Sequence, residues 1–230
     1  MITTVFFDLD DTLFDFKRSE RKALTSTLAR LGIEPTEKTL SRYSDINRGQ
    51  WEALERGEVT RDVILVRRYE ILFSELGVNA DPHSAQAIYE KELSGIYFYV
   101  DGAIELVEKL RATGKYRMYL ASNGTAVVQD SRIAISGIAK YFDGVFISER
   151  IGYNKPSPEF FEGCFAQIEG FSKDGAIIIG DSLTSDIQGG INAGIRACLF
   201  NPKRKPVPKN IKPDFEVCSL DEIPELLERI

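Results

Sequence analysis

Short apolar runs alternate with helical patterns along most of the chain, and this alternation limits the possible folds more than any other feature. Runs rich in β-branched and aromatic residues predict strands at 3–9, 117–121, 144–147 and 176–179, with a weaker one at 196–200. Helical patterns separate these strands, at 102–113, 125–135, 158–168 and 183–193. Strands that alternate with helices of this length predict an α/β fold, in which a parallel sheet has helices on both faces.

One long segment interrupts the alternation directly after the first strand. Between about Phe14 and Tyr99 no convincing strand occurs, and apolar residues such as Leu24 and Leu28 recur at helical spacing. The sequence therefore predicts a Rossmann-like α/β core formed by 1–14 and 100–230, with an all-helical cap domain at 15–99. A domain inserted there is expected above the carboxyl edge of the sheet, where open parallel sheets bind ligands.

The composition argues against several classes of protein. The 230 residues carry a net charge of -6, which argues against a nucleic-acid polymer as the main partner. No apolar stretch approaches the ~20 residues of a membrane span, and the first residues lack the basic region of a secretory signal. Three widely spaced cysteines fit neither a zinc site nor a disulfide framework. We therefore expect a cytoplasmic monomer or homodimer with a small-molecule partner and no membrane association.

Acidic residues follow two of the predicted strands. Asp8 and Asp10 come at the end of the first strand, and Asp181 and Asp186 follow the strand at 176–179. Desolvated carboxylates are costly, and clustered ones repel each other unless a cation or a shared proton relieves them. Oxygen ligands of this kind suit a hard divalent cation such as Mg²⁺. A turn or a helix cap would also explain these acids one motif at a time.

Two further polar motifs follow the remaining strands. Ser122, Asn123 and Gly124 come after the strand at 117–121, where a hydroxyl, an amide and free backbone N–H groups can bind an anion. Lys155 follows the strand at 144–147 and can balance carboxylates and a phosphate. Taken singly, each motif could serve only the backbone or the surface. Because the carboxyl ends of parallel strands converge, the four motifs together predict one active site.

The four motifs resemble those of the haloacid dehalogenase superfamily. They occur in the family's order, as DLDDT (8–12), SNG (122–124), KP (155–156) and GDSLTSD (180–186), and the helical insertion resembles the family's type 1 cap. A closer resemblance is to the house-cleaning pyrimidine 5′-nucleotidases. The stretches that suggest it are INRGQW (46–51), TRD (60–62), ISERIG (147–152) and GGINAG (189–194).

The resemblance implies a Mg²⁺-dependent phosphatase that acts on small phosphate monoesters. Asp8 would be the nucleophile that becomes an aspartyl phosphate, and Asp10 the general acid and then the general base. Ser122, Asn123 and Lys155 would bind the phosphoryl group, with Lys155 also offsetting its charge.

The family's metal site would be formed at the same edge of the sheet. Asp8, the backbone carbonyl of Asp10, and Asp181 would hold Mg²⁺. Asp186 would bind the metal directly or through water, or would orient Lys155.

Substrate choice is expected to lie in the cap. Asn47 and Trp51 are four residues apart and share a helical face. Phe14, Phe16 and Trp51 could contact a nucleobase, and Arg61 could pair with an acid. Equally, Trp51 could pack inside the cap. His83, the sole histidine, is expected at the surface near a helix start, so a histidine-based mechanism is discounted.

Several alternatives remain open from the sequence. A dehalogenase would not need Asp10, since a halide leaves without a proton, so a phosphatase is favoured. A sugar-phosphate or phosphoglycolate phosphatase is the nearest alternative to a nucleotidase, and a mutase is a weaker one. From another class, a non-enzymatic phospho-acceptor domain would also place acids and a lysine at strand ends. It would lack the long helical insertion.

Overall fold

A six-stranded parallel sheet organises the larger of two units in the computed structural model, which describes residues 1–230. This unit comprises Met1–Asp15 and Tyr99–Ile230, and the second unit comprises Phe16–Phe98. The strands are β1 (Thr4–Phe7), β2 (Arg117–Ser122), β3 (Gly144–Ile147), β4 (Ala176–Gly180), β5 (Arg196–Phe200) and β6 (Phe215–Val217). Their order in the sheet is β3-β2-β1-β4-β5-β6, so β1 and β4 are central.

Helices of the first unit connect the strands and cover both faces of the sheet. They are α5 (Ala103–Thr113), α6 (Ala126–Ser136), α7 (Ser148–Ile151), α8 (Pro158–Phe165), α9 (Gln188–Ala193) and α10 (Ile223–Arg229). Short 3₁₀ turns occur at Ile138–Tyr141, Lys173–Gly175 and Leu220–Glu222, and a π-helical turn at Leu183–Ile187 precedes α9. On one face, buried aromatic residues such as Phe6, Phe161 and Phe165 form the core. The predicted fold class is confirmed.

The second unit is entirely helical. Its four helices are α1 (Phe16–Arg30), α2 (Glu37–Glu55), α3 (Arg61–Leu76) and α4 (Pro82–Ser94). Side-chain caps fix two helix starts: Thr36 accepts from Thr39 N, and Asp81 accepts from Ser84 N. Gly77 ends α3 with a φ of 64°, a left-handed conformation that glycine adopts at little cost. That this unit acts as a cap remains a prediction from the sequence.

A few local predictions need correction. The helix predicted at 158–168 ends at Phe165, and the one predicted at 183–193 begins with a π-helical turn. Strand β6, which was not predicted from the sequence, pairs with β5 at the edge of the sheet.

All three cysteines are free. Cys164 and Cys198 are buried, and Cys218 is partly exposed. None of the helices combines the length and the apolar character that a membrane crossing requires.

Candidate active site

Strand β1 delivers Asp8 to the carboxyl edge of the sheet. The Asp8 backbone N–H donates to the Ile179 carbonyl over 2.9 Å, which extends the pairing of β1 with β4 by one residue. Beyond it the chain turns back, as Phe14 N donates to the Leu9 carbonyl. Asp11 adopts a φ of 62° in this turn, which aspartate tolerates better than most residues. The Thr12 hydroxyl accepts from Asp181 N and so ties the first motif to the fourth.

Lys155 is the central cation of the site and is almost fully buried. Its ammonium group donates to Asp8 Oδ1 over 2.7 Å, to Asp186 Oδ1 over 2.6 Å and to the Ala121 carbonyl over 2.6 Å. Three acceptors use all three N–H donors, which is what a buried ammonium group requires. Asn123 holds the lysine backbone from both sides, since it accepts from Lys155 N and donates to Lys155 O.

The Asn123 contacts add to the sequence prediction. The structure shows the amide of the second motif bonded to the backbone of Lys155, a contact that the order of the motifs did not predict. Phosphate binding by Asn123 stays a prediction.

Asp186 is fully buried against Gly180, which has no side chain to occupy the same space. Ser182 N donates to Asp186 Oδ2, and a Cβ atom added to Gly180 would overlap the carboxylate. Asp186 N and Ile187 N both bond to the Ser182 carbonyl, which forms the wide π-helical turn. The glycine and serine of the fourth motif therefore serve the position of its second acid.

Three carboxylates lie close together at the site of this lysine. Oxygen atoms of Asp8, Asp181 and Asp186 all lie within 4.8 Å of one another. Burial raises the pKa of Asp8 to about 8; Lys155 opposes this shift, and the charge of Asp186 adds to it. Burial would lower the pKa of Lys155, but Asp186 and Asp8 together raise it, so the lysine stays protonated. The cluster thus contains three acids and one ammonium group, and the donor set suits an added divalent cation.

The next acid and the serine share partners on α6. The Ser122 hydroxyl accepts from Gly124 N over 3.1 Å and from Gln129 Nε2 over 2.8 Å. Gln129 Nε2 also donates to Asp10 Oδ2, and Arg132 Nη1 donates to Asp10 Oδ1. Neither Gln129 nor Arg132 was predicted from the sequence. The sequence feature that could have indicated them is a pair of polar residues spaced three apart on the helix that follows the second motif.

The four residues predicted to contact substrate differ in burial within the second unit. Asn47 is buried, donates to Glu20 and accepts from Arg68, so both its amide groups are bonded inside the unit. Phe16, Trp51 and Arg61 are half-buried, and the Arg61 guanidinium lies 5.5 Å from the centroid of the Trp51 ring. Substrate contacts by these four residues remain predictions. His83 is exposed near the start of α4, as expected.

This arrangement of strand-end acids around a buried lysine defines a class of hydrolase. The chain belongs to the haloacid dehalogenase-like hydrolases, since it matches that family over residues 2–194. The resemblance inferred from the four motifs is confirmed, and the chain is an enzyme.

Individual relatives cover nearly the whole chain. The HAD-hydrolase YfnB of Bacillus subtilis is 36% identical over 97% of this chain and 94% of its own length. A crystal structure of YfnB bound to magnesium covers 98% of both chains with a TM-score of 0.93. The pyrimidine 5′-nucleotidase PynA of Streptococcus pneumoniae is 36% identical over 98% of this chain and 94% of its own. The pyrimidine 5′-nucleotidase YjjG of Escherichia coli is 29% identical over 97% and 96%.

Proposed function

We propose that the protein is a Mg²⁺-dependent phosphatase that hydrolyses small phosphate monoesters through an aspartyl phosphate on Asp8. One observation carries the proposal: Lys155 bonds Asp8 and Asp186 at once, in a cluster with Asp181 that has an excess of negative charge. Such a cluster can hold a cation, and a nucleophile beside a cation and an ammonium group suits an anionic substrate.

The acid cluster fits Mg²⁺ by its chemistry. Asp8, Asp181, the Asp10 backbone carbonyl and Asp186 would hold the ion, the last directly or through water. When bound, Mg²⁺ would supply positive charge to the phosphoryl oxygens and orient them for in-line attack. The relative YfnB has been crystallised with magnesium, which supports the same choice of ion here.

The chemistry itself would be carried by two aspartates. A carboxylate oxygen of Asp8 attacks phosphorus, the ester P–O bond breaks, and Asp10 gives its proton to the leaving oxygen. Asp10 then takes a proton from water as the water oxygen attacks phosphorus. The bond between Asp8 and phosphorus breaks, which releases phosphate and restores both residues. Ser122, Asn123 and Lys155 would bind the phosphoryl oxygens throughout.

The substrate class that we favour is pyrimidine nucleoside 5′-monophosphates. Two relatives are pyrimidine 5′-nucleotidases at 36% and 29% identity, and both match almost the full chain. Within the helical unit, the stack of Arg61 on Trp51 offers an aromatic and cationic surface of the kind on which nucleobases stack. We also place the protein in the cytoplasm, as a monomer or homodimer.

A short series of assays tests this proposal. Hydrolysis of p-nitrophenyl phosphate should require Mg²⁺, stop with EDTA and be absent in Asp8→Asn. Stable phosphorylation without turnover would instead indicate a phospho-acceptor domain. Phosphate release from a panel of nucleoside monophosphates and sugar phosphates then separates a nucleotidase from a sugar-phosphate or phosphoglycolate phosphatase.

A further inference from the structure

Helix α6 buries two polar side chains that no part of the proposed chemistry uses directly. Gln129 is 1% exposed and Arg132 is fully buried, beside the apolar Val128 and Ile133 on the same helix. A buried guanidinium is costly unless charge and hydrogen bonds compensate it. Two apolar residues would fill these buried positions at lower cost, so the pair calls for an explanation beyond packing.

The contacts of the pair converge on one carboxylate. Gln129 Nε2 donates to Asp10 Oδ2 over 2.7 Å, and Arg132 Nη1 donates to Asp10 Oδ1 over 2.6 Å. Arg132 Nη1 also donates to Gln129 Oε1 over 2.9 Å, which fixes the direction of the amide. A carboxylate held at both oxygens by two side chains cannot rotate freely, although the Asp10 side chain itself is 26% exposed.

The same amide connects Asp10 to the serine of the second motif. Gln129 Nε2 donates to Ser122 Oγ over 2.8 Å, so one NH₂ group bridges the two residues. Gly124 makes this bridge possible, because a Cβ atom at position 124 would overlap the Gln129 side chain. This contact gives the glycine of the SNG motif a physical reason that lies outside its own backbone conformation.

We propose that Gln129 and Arg132 are positioning residues that hold the Asp10 carboxyl group for proton transfer and set its place relative to Ser122. The inference rests on the proposed phosphatase function, in which Asp10 protonates the leaving oxygen. Its consequence is selective. Esters with a poor leaving group depend on a well-placed acid, whereas p-nitrophenolate leaves with little help. A loss of positioning should therefore grow as the leaving group worsens.

Phenyl phosphate and p-nitrophenyl phosphate test this dependence, since they differ little in shape but strongly in leaving group. In Gln129→Met, kcat/KM for phenyl phosphate should fall about 10- to 100-fold, and that for p-nitrophenyl phosphate by less than about threefold. The kcat for p-nitrophenyl phosphate should fall more than its kcat/KM. A burst of p-nitrophenolate should precede steady state, because Asp10 must also activate water in the second step.

Three further variants and a control distinguish a loss of positioning from a loss of folding. Gly124→Ala should displace Gln129 and reproduce its leaving-group dependence, and Arg132→Lys, which keeps a donor, should lose less activity than Arg132→Met. Gln167→Met, which removes an exposed amide bonded to the Gly163 carbonyl, should behave as wild type. Thermal unfolding and the Mg²⁺ dependence of each variant are measured alongside.

The possible outcomes separate this inference from the proposed function. Equal losses on both esters, no loss, or faster turnover of phenyl phosphate would each overturn the positioning role while wild-type hydrolysis stands. If the wild-type protein with Mg²⁺ hydrolyses neither ester, the proposed function fails, and the inference fails with it.

Discussion

Each of the two units buries a polar cluster, and the clusters differ in how their charges balance. In the first unit, Lys155 forms ion pairs with Asp8 and Asp186, and their carboxylates cluster with that of Asp181. In the second, one polar side chain from each helix joins a single network, and these side chains are Glu20, Asn47, Arg68 and Gln86. The two buried charges of that network, Glu20 and Arg68, are one acid and one base and balance each other, whereas the other cluster is negative.

The charge balance of each cluster indicates whether it requires a further charged group. In the helical unit the Arg68 guanidinium donates to Asn47 and Gln86 and also lies 4.9 Å from the centroid of the Tyr89 ring. Its partners are complete within the unit, so the network can stabilise the packing of four helices without a ligand. The acid cluster of the sheet contains three acids and one ammonium group, and we propose that a further cation completes it. A buried network with matched charges indicates structure, and one with unmatched charges indicates function.

The largest expected effect distinguishes catalysis from stability in the acid cluster. Asp8→Asn should reduce kcat on p-nitrophenyl phosphate by more than about 10⁴-fold, because an amide cannot form the covalent intermediate. The midpoint of thermal unfolding should not fall, since burial and the charge of Asp186 already disfavour the ionised form of Asp8, and the amide keeps an acceptor oxygen for Lys155. Retained turnover would rule out covalent catalysis by Asp8.

Removing the buried cation of the helical unit should have the opposite result. Arg68→Met leaves the Asn47 and Gln86 oxygens without their donor and the buried Glu20 without a balancing positive charge, and it should cost about 3–5 kcal/mol of unfolding free energy. Trp51 is the only tryptophan, so its fluorescence in urea reports on this unit. Mg²⁺ should not restore the loss. The exposed ion pair Arg111–Asp143 of the first unit provides a control, in which Arg111→Met should cost less than about 1 kcal/mol.

Mg²⁺ itself should stabilise only the unit with unmatched charge. At a concentration 100 times its Kd, the ion should add about 2.7 kcal/mol to the unfolding free energy. This gain in unfolding free energy should be visible when the unfolding of the sheet-containing unit is followed by circular dichroism. Asp181→Asn should remove most of this gain, because it deletes one of the three clustered carboxylates. A gain of the same size in that variant would place the ion elsewhere.

The smallest expected effect concerns substrate choice. Trp51→Ala should lower kcat/KM for uridine 5′-monophosphate about tenfold more than that for p-nitrophenyl phosphate, because only the nucleotide offers a base to stack. Asn47→Ala serves as the contrast, since it should lower the stability of the helical unit without that preference. Equal losses on both substrates in Trp51→Ala would assign the tryptophan to packing.

Much of the fold followed from local sequence patterns. The strand at Ala176–Gly180 and its neighbours are short β-branched runs with helices between them, so the parallel sheet could be predicted. Strand β6 could not, because Phe215–Val217 has only three residues and its pairing with β5 supplies what its own sequence does not. The π-helical turn at Leu183–Ile187 also depends on a tertiary cause, the inward placement of Asp186.

The site was predictable where its residues directly follow strands. Asp8, Lys155 and Asp186 were expected together because parallel strands converge at one edge. In the structure the Lys155 ammonium group is hydrogen-bonded to both aspartates. Gln129 and Arg132 reach Asp10 from within a helix, so strand ends gave no indication of them. Asn47 was predicted to share a substrate-facing side of its helix with Trp51, but their spacing alone does not say which side of the helix is buried.

Gly180 has a consequence for how this enzyme can be altered by mutation. Adding one methyl group there would push aside the Asp186 carboxylate, so even alanine should be as harmful as a change to the acid itself. At Gly49 an added methyl group would meet nothing within 4 Å, and many residues should be tolerated. Libraries that seek new substrates should therefore leave position 180 untouched and place their diversity on the helical unit.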